Sequence, residues 1–200
     1  MIPRFYDASQ GSVCIDGVDV KDYTLDELRH KVGVVPQKAV LFAGTIADNI
    51  RWGKQDATEA EIDEALEIAQ AKEFVDGKEN GIYFTITQGG KNLSGGQKQR
   101  LTIARAVVRK PEILILDDSA SALDFATDAA LRKAIREKTK GMTVFLVSQR
   151  ASTIMNSDKI IVMDDGQIAG IGTHRQLLSN CEIYREICQS QLSEEELSHE

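Results

Sequence analysis

Between Glu112 and Asp118 the chain reads EILILDD. Ile113 to Leu116 is an unbroken apolar run, with no polar residue to face solvent. A short run of this kind fits a central strand of a parallel sheet, covered on both faces. Two other stretches share the texture. VGVVPQ ends a run at Pro36 with Gln37 just beyond it, and MTVFLVSQ ends in Ser148 and Gln149. Both predict buried strands. Helical segments such as DAALRKAIREKT lie between strands, and strand–helix alternation predicts an α/β sheet. Ligands of such sheets sit at the carboxyl ends of the strands, where Gln37, Asp117, Asp118 and Gln149 all fall.

Local signals fill in the rest. GSVCIDGVDV predicts a hairpin around Asp16-Gly17, and KIIVMDDGQIAGIG a second across Asp165-Gly166. Thr24 with Glu27, and Thr58 with Glu61, have the spacing of capping boxes. Ile62, Leu66 and Ala69 mark a helical stripe, a Gly- and Asn-rich loop runs from Gly81 to Gly96, and a helix follows to about Val108. The reading is an α/β core from residues 1–50 and 107–192 with a helical subdomain, about 51–106, inserted in it. Residues 193–200 read as an acidic tail, since Glu194, Glu195, Glu196 and Glu200 have no Lys or Arg among them.

The net charge of −7 argues against a binder of nucleic-acid backbone, which needs clustered Lys and Arg. It leaves nucleotides open, because backbone amides at a helix start hold phosphate without net positive charge. No apolar run approaches the roughly 20 residues that span a bilayer, and no leader-like start is visible, so a soluble chain is expected. Cys14, Cys181 and Cys188 lack metal-ligand spacing and are expected to serve packing.

The stretch LSGGQ, Leu93 to Gln97, is the strongest chemical signal. Ser94 is a good helix N-cap, and Gly95 and Gly96 allow an anion to approach the backbone without a Cβ in the way. The dipole and free amides then face that anion. Alone, the motif could be a capped Gly-Gly turn. Asp117 ends its strand where a nucleotide-held Mg²⁺ needs a ligand, and Asp118 stands where a water-positioning base fits. Alone, the pair could cap the next turn. SALD, Ser121 to Asp124, could cap a helix, and Gln149 could be a strand terminus.

Taken in order, Gln37, LSGGQ, ILILDD, SALD and the polar residue after FLVS resemble the nucleotide-binding domain of ABC (ATP-binding cassette) transporters. The resemblance runs from about Pro3 to Leu192, and LFAGTIADNI, Leu41 to Ile50, resembles the exporters specifically. It implies a P-loop NTPase-like sheet core with a helical subdomain, ATP and Mg²⁺ as cofactors, and ATP hydrolysis coupled to transport. It makes Gln37 the Q-loop glutamine near Mg²⁺ and the attacking water, and Ser94, Gly95, Gly96 and Gln97 the signature. Asp117 becomes the Walker B aspartate and Ser121–Asp124 the D-loop, with Asp124 at the dimer interface. Gln149 takes the switch-histidine position. The segment after Gln37 would meet coupling helices of a membrane domain, at the cytoplasmic face of the cell membrane.

Departures from the family pattern matter as much. No G-x-x-x-x-G-K-[ST] phosphate loop is present: Gly53-Lys54, Gly77-Lys78 and Gly90-Lys91 are followed by Gln, Glu and Asn. The sequence therefore looks like the family domain cut after that loop, lacking its strand and helix. Asp118 stands where active members carry Glu, one methylene longer, and small misplacements of a base cost on the order of a hundredfold. Gln149 hydrogen-bonds but carries no positive charge, and Gln88 replaces a Glu found before the signature in many exporters. These changes weaken the domain's own ATP site, while the signature serves the site of a second nucleotide-binding domain across a head-to-tail dimer. The implied assembly is heterodimeric. A non-catalytic partner or regulatory module, and an inactive gene fragment, are the competing readings. DNA-repair and translation ATPases of the same family fit less well.

Overall fold

The computed structural model describes residues 1–119 and 121–192, so the predicted acidic tail at 193–200 lies outside the described residues. It divides into two compact units, Met1–Val147 and Ser148–Glu200.

The first unit opens with a hairpin of β1 (Cys14–Ile15) and β2 (Val18–Asp19). Asp16 and Gly17 both take positive φ, 52° and 82°, as a tight hairpin turn demands. Helix α1 (Leu25–Lys31) starts at the predicted box: Thr24 accepts from the Glu27 amide, and Glu27 returns a bond to the Thr24 amide. Strand β3 (Val32–Val35) follows directly. Then come β4 (Gly44–Thr45), α2 (Ile46–Arg51), α3 (Glu59–Ile68), α4 (Lys72–Asp76), β5 (Thr85–Ile86) and α5 (Gly95–Val107). The unit closes with β6 (Ile113–Asp117), α6 (Phe125–Lys138) and β7 (Thr143–Val147).

The central sheet is parallel, in the order β3-β6-β7, with Val35 opposite Leu116 and Asp117 opposite Val147. The α/β expectation thus holds. The side of the sheet bearing Val35, Leu114 and Leu116 packs into the same core as Ile46, Ile50, Ile62, Leu66, Leu101 and Ile103 of the helices. Each such side chain, fully buried, contributes about 1.5–3 kcal/mol. Leu101→Ala, at the centre of α5, would cost roughly 2–5 kcal/mol. The opposite side packs Val32, Ile113 and Ile115 against Ile15, Val20 and Leu28 of the hairpin and α1.

β7 departs from expectation. It was predicted to be buried, yet Phe145 is 40% and Val147 53% exposed. It is the terminal strand of the sheet order, and the hairpin–α1 cluster reaches Val32, Ile113 and Ile115 without including Phe145 or Val147. An apolar run signals a strand, but it does not say what covers each face. The helical stretch between residues 51 and 106 is present, though it also contains β5, paired antiparallel with β4 through Gly44 with Ile86 and Thr45 with Thr85.

The second unit holds α7 (Ala151–Ile154), β8 (Ile160–Asp164), β9 (Gln167–Gly172), α8 (His174–Asn180) and α9 (Glu182–Gln191). β8 and β9 form the hairpin predicted across Asp165 and Gly166, again both at positive φ. Gly170 lets α8 and its C-terminal end pack closely there, since a Cβ would stand 2.9 Å from Leu177 Cδ2 and 3.0 Å from Cys181 Sγ. Cys181 and Cys188 pack in this core, as expected, but Cys14 is exposed on β1.

Candidate nucleotide site

The start of α5 is built by the sequence SGGQ. Ser94 is extended, φ −68° and ψ 163°, so its side chain turns back over the first turn. Its Oγ accepts from the Gln97 amide at 3.2 Å, and Gln97 Oε1 accepts from the Ser94 amide at 3.0 Å. This is a complete capping box. The hydroxyl hydrogen of Ser94 is not consumed by it, since a serine hydroxyl accepts and donates at once. The amides of Gly95 and Gly96 head the helix, where no carbonyl one turn earlier is in reach.

The two glycines are not equivalent. A Cβ on Gly95 would meet nothing within 4 Å, so its face is open to a ligand. A Cβ on Gly96 would stand 3.1 Å from the carbonyl oxygen of Ala122. Gly96 therefore lets the helix start approach the 121–124 loop closely. In that loop Leu123 is buried in the core. Asp124 caps α6: its Oδ1 accepts from the Thr127 amide at 2.9 Å and its Oδ2 from the Thr127 hydroxyl at 2.7 Å. Those bonds hold its carboxyl below the usual range.

The second cluster stands at the carboxyl end of the sheet. Asp117 ends β6 and is exposed, with no side-chain hydrogen bond among the described residues. Asp118 has φ 43°, a left-handed conformation uncommon outside glycine. Its amide donates to the Val147 carbonyl at 2.8 Å, and its own carbonyl accepts from Ser121 Oγ at 2.8 Å. Gln37 Nε2 donates to Asp118 Oδ2 at 3.1 Å, so residues 81 positions apart meet at the carboxyl end of the sheet. Gln149 lies in the second unit, exposed, its carbonyl accepting from Gln191 Nε2 at 2.9 Å.

Sequence reasoning missed the residues that rope these parts together. Gln99, buried in α5, donates to the Pro36 carbonyl at 3.4 Å, beside Gln37. Arg105 donates to the carbonyls of Asn49 and Val40 at 2.8 and 3.0 Å, and to Asn49 Oδ1 at 2.9 Å. Asn49 in turn holds both the amide and the carbonyl of Phe42, each at 2.9 Å. The helix that begins at Ser94 is thereby tied to the whole segment after Gln37. A buried Asn in an otherwise apolar helix face was the available signal.

Comparison with known proteins decides the family. The sequence profile described as "ABC transporter" matches residues 1–121, more than half of the chain. The chain belongs to the ABC transporter family. It is an ABC transporter ATP-binding domain, homologous to those of exporters. An uncharacterized ABC transporter ATP-binding protein of Mycobacterium tuberculosis is 45% identical over 194 residues, 96% of this chain and 33% of that protein. A probable multidrug resistance ABC transporter ATP-binding/permease protein of Bacillus subtilis is 46% identical over 183 residues, 92% of this chain and 31% of its own length. A bacterial Atm1-family ABC exporter solved with ATP bound superposes with a TM-score of 0.92 at 38% identity, covering 96% of this chain and 34% of that one. The ABC domain described here thus spans about a third of the length of these relatives. Among the described residues, no helix is long and apolar enough to cross a membrane.

Proposed function

We propose that this domain couples ATP binding and hydrolysis to export across a membrane, and that its signature, Ser94 to Gln97, closes over a nucleotide held by a second ABC domain. The observation that carries this reading is the capped start of α5. The Ser94 hydroxyl hydrogen, two helix-leading amides and the open face of Gly95 converge where an anion can sit. The solved relative with ATP bound supports a nucleotide as that anion.

The domain's own site is degenerate on this reading. Asp118 is a short base tethered to Gln37, and Gln149 replaces a histidine. Asp117 suits one ligand position of Mg²⁺, which characteristically takes one or two carboxylates and completes its shell with nucleotide and water oxygens. No cluster of three or more His, Cys, Asp or Glu residues that could hold a metal stands among the described residues, so Mg²⁺ here depends on the nucleotide. When bound, the ion would neutralise charge on the phosphates. Gln37 would orient water and Asp124 would contribute at the dimer interface. The partners are a second ABC domain, making a heterodimer, and the coupling helices of a membrane domain that keeps this chain at the cytoplasmic face.

The test is ATP turnover by an exporter ABC domain that has its own phosphate loop, titrated with this chain. A rise in rate that Ser94→Arg abolishes supports the reading. Brisk turnover by this chain alone, or stimulation unaffected by Ser94→Arg, overturns it.

A further inference from the structure

Within the second unit, one side chain grips the backbone on both sides of Arg150. Gln191 ends α9, and its Oε1 accepts from the Ala151 amide at 2.9 Å. Its Nε2 donates to the Gln149 carbonyl, also at 2.9 Å. The neighbours dictate which way the carboxamide faces. Turned over, it would set an NH2 group against an N–H and an oxygen against a carbonyl.

The first bond answers a local need. Ala151 is the first residue of α7, so its amide has no carbonyl one turn earlier to bond. Arg150 stands in the N-cap position and makes no side-chain cap. Ala151 is 1% exposed, so water is a poor substitute. The Gln191 acceptor, 40 positions away, fills the place. Gln191 is itself on a firm mount. It follows Tyr184 and Cys188 on the helix face that packs into the same core as Ala151, Ile160 and Val162.

A cap needs only the acceptor, so the second bond has another duty. It fixes the carbonyl of Gln149, whose side chain is exposed and takes its direction from the backbone that carries it. One residue on, the Arg150 amide donates to the Ser148 hydroxyl at 3.0 Å, which closes the turn around Gln149.

We propose that Gln191 is a positioning residue for ATP hydrolysis at this domain's own site: its Nε2 fixes the backbone of Gln149 and so aims that side chain. The inference rests on the reading above that Gln149 stands in a histidine's place at that site. It gives the last residue of α9 a part in hydrolysis without contact with any reacting atom.

Two substitutions divide the two bonds. Gln191→Leu removes both. Gln191→Glu, at about pH 8 where the carboxylate is ionised, keeps an acceptor for the Ala151 amide and loses the donor to Gln149. In the full chain, Gln191→Leu should speed exchange of the Ala151 amide about tenfold and Gln191→Glu should not. Far-UV dichroism and melting show whether both variants keep the fold. Turnover is read in the complete assembly carrying Asp118→Glu and Gln149→His, where this domain's own site should gain rate. Both Gln191 variants should lower kcat there by about tenfold or more, with KM for ATP unchanged, because aiming a reacting group counts in the transition state. A rate kept by Gln191→Glu and lost only by Gln191→Leu overturns the proposal, since capping α7 would then account for Gln191. So does a rate untouched by either variant, a rise in KM without a fall in kcat, or Ala151 exchange unmoved by Gln191→Leu. No gain from Asp118→Glu with Gln149→His is a separate result: it removes the reading of Gln149 itself, and this inference with it.

Discussion

Replacing Ser94 with alanine and with aspartate separates what this residue does for the helix from what it does for a nucleotide. Its Oγ accepts from the Gln97 amide at 3.2 Å, a bond that alanine deletes. The loss of such a cap costs about 1 kcal/mol, or about 2–4 °C in melting temperature for a chain of this size. Aspartate keeps the acceptor, ranks with serine as an N-cap, and adds about 0.3–1 kcal/mol with the helix dipole. Ser94→Asp should therefore melt at or above the parent temperature. Its effect on function should be opposite. A carboxylate about 4 Å from a phosphate oxygen is repelled by about 4 kcal/mol at an effective dielectric of about 20. That corresponds to about a thousandfold loss in stimulation of the partner's turnover. Thermal melts followed by far-UV dichroism, beside ATP turnover at increasing chain concentration, give both numbers. Stimulation preserved by Ser94→Asp would refute the reasoning, because the cap would then be the whole role of Ser94.

Other outcomes follow from the same geometry. Gly95→Ala should leave stability unchanged or improve it by up to about 1 kcal/mol, because nothing lies within 4 Å, and should still abolish stimulation. Gly96→Ala should shift the 121–124 loop, detectable as changed amide exchange at Leu123 and Asp124, because the Ala122 carbonyl must give way. In the complete assembly, Asp118→Glu with Gln149→His should raise turnover at this domain's own site; no gain would remove these residues as the cause of its weakness. Glu61 bonds Lys54 and accepts from the Thr58 amide at 2.9 Å, which holds its carboxyl at about 2, below the ordinary 4.5. A depressed carboxyl stabilises the fold above its unfolded value and loses that contribution as pH falls toward the folded one. The parent chain should thus exceed Glu61→Gln in melting temperature at pH 6, with the gap closing between about pH 5 and 2. A constant gap would contradict the assignment.

Much of the fold was legible because local chemistry and tertiary structure agree. The Thr24–Glu27 and Thr58–Glu61 boxes formed where spacing put them, and both Asp-Gly turns carry the positive φ that hairpins need. Gln37 and Asp118 met because parallel strands bring their ends together. Other features depend on partners distant in sequence. Nothing local reveals that Phe145 and Val147 lie exposed, or that two-residue β4 and β5 pair. The box at Thr45 was missed because Asp48, not Glu or Gln, returns the bond. The difference in surroundings between Gly95 and Gly96 emerges only once the Ala122 carbonyl is beside one of them. Arg109 is likewise silent in sequence, since only the fold shows its Nε buried without a hydrogen-bond partner among the described residues.

The most direct trial of the account is a structure of the ATP-loaded assembly containing this domain. The separation to read is that between Ser94 Oγ and the nearest phosphate oxygen of a nucleotide seated on the neighbouring ABC domain. The account predicts a hydrogen bond, about 2.5–3.0 Å, with the Gly95 amide facing the same phosphate. A triphosphate bound there with Ser94 turned away, beyond the reach of even a bridging water, would contradict it.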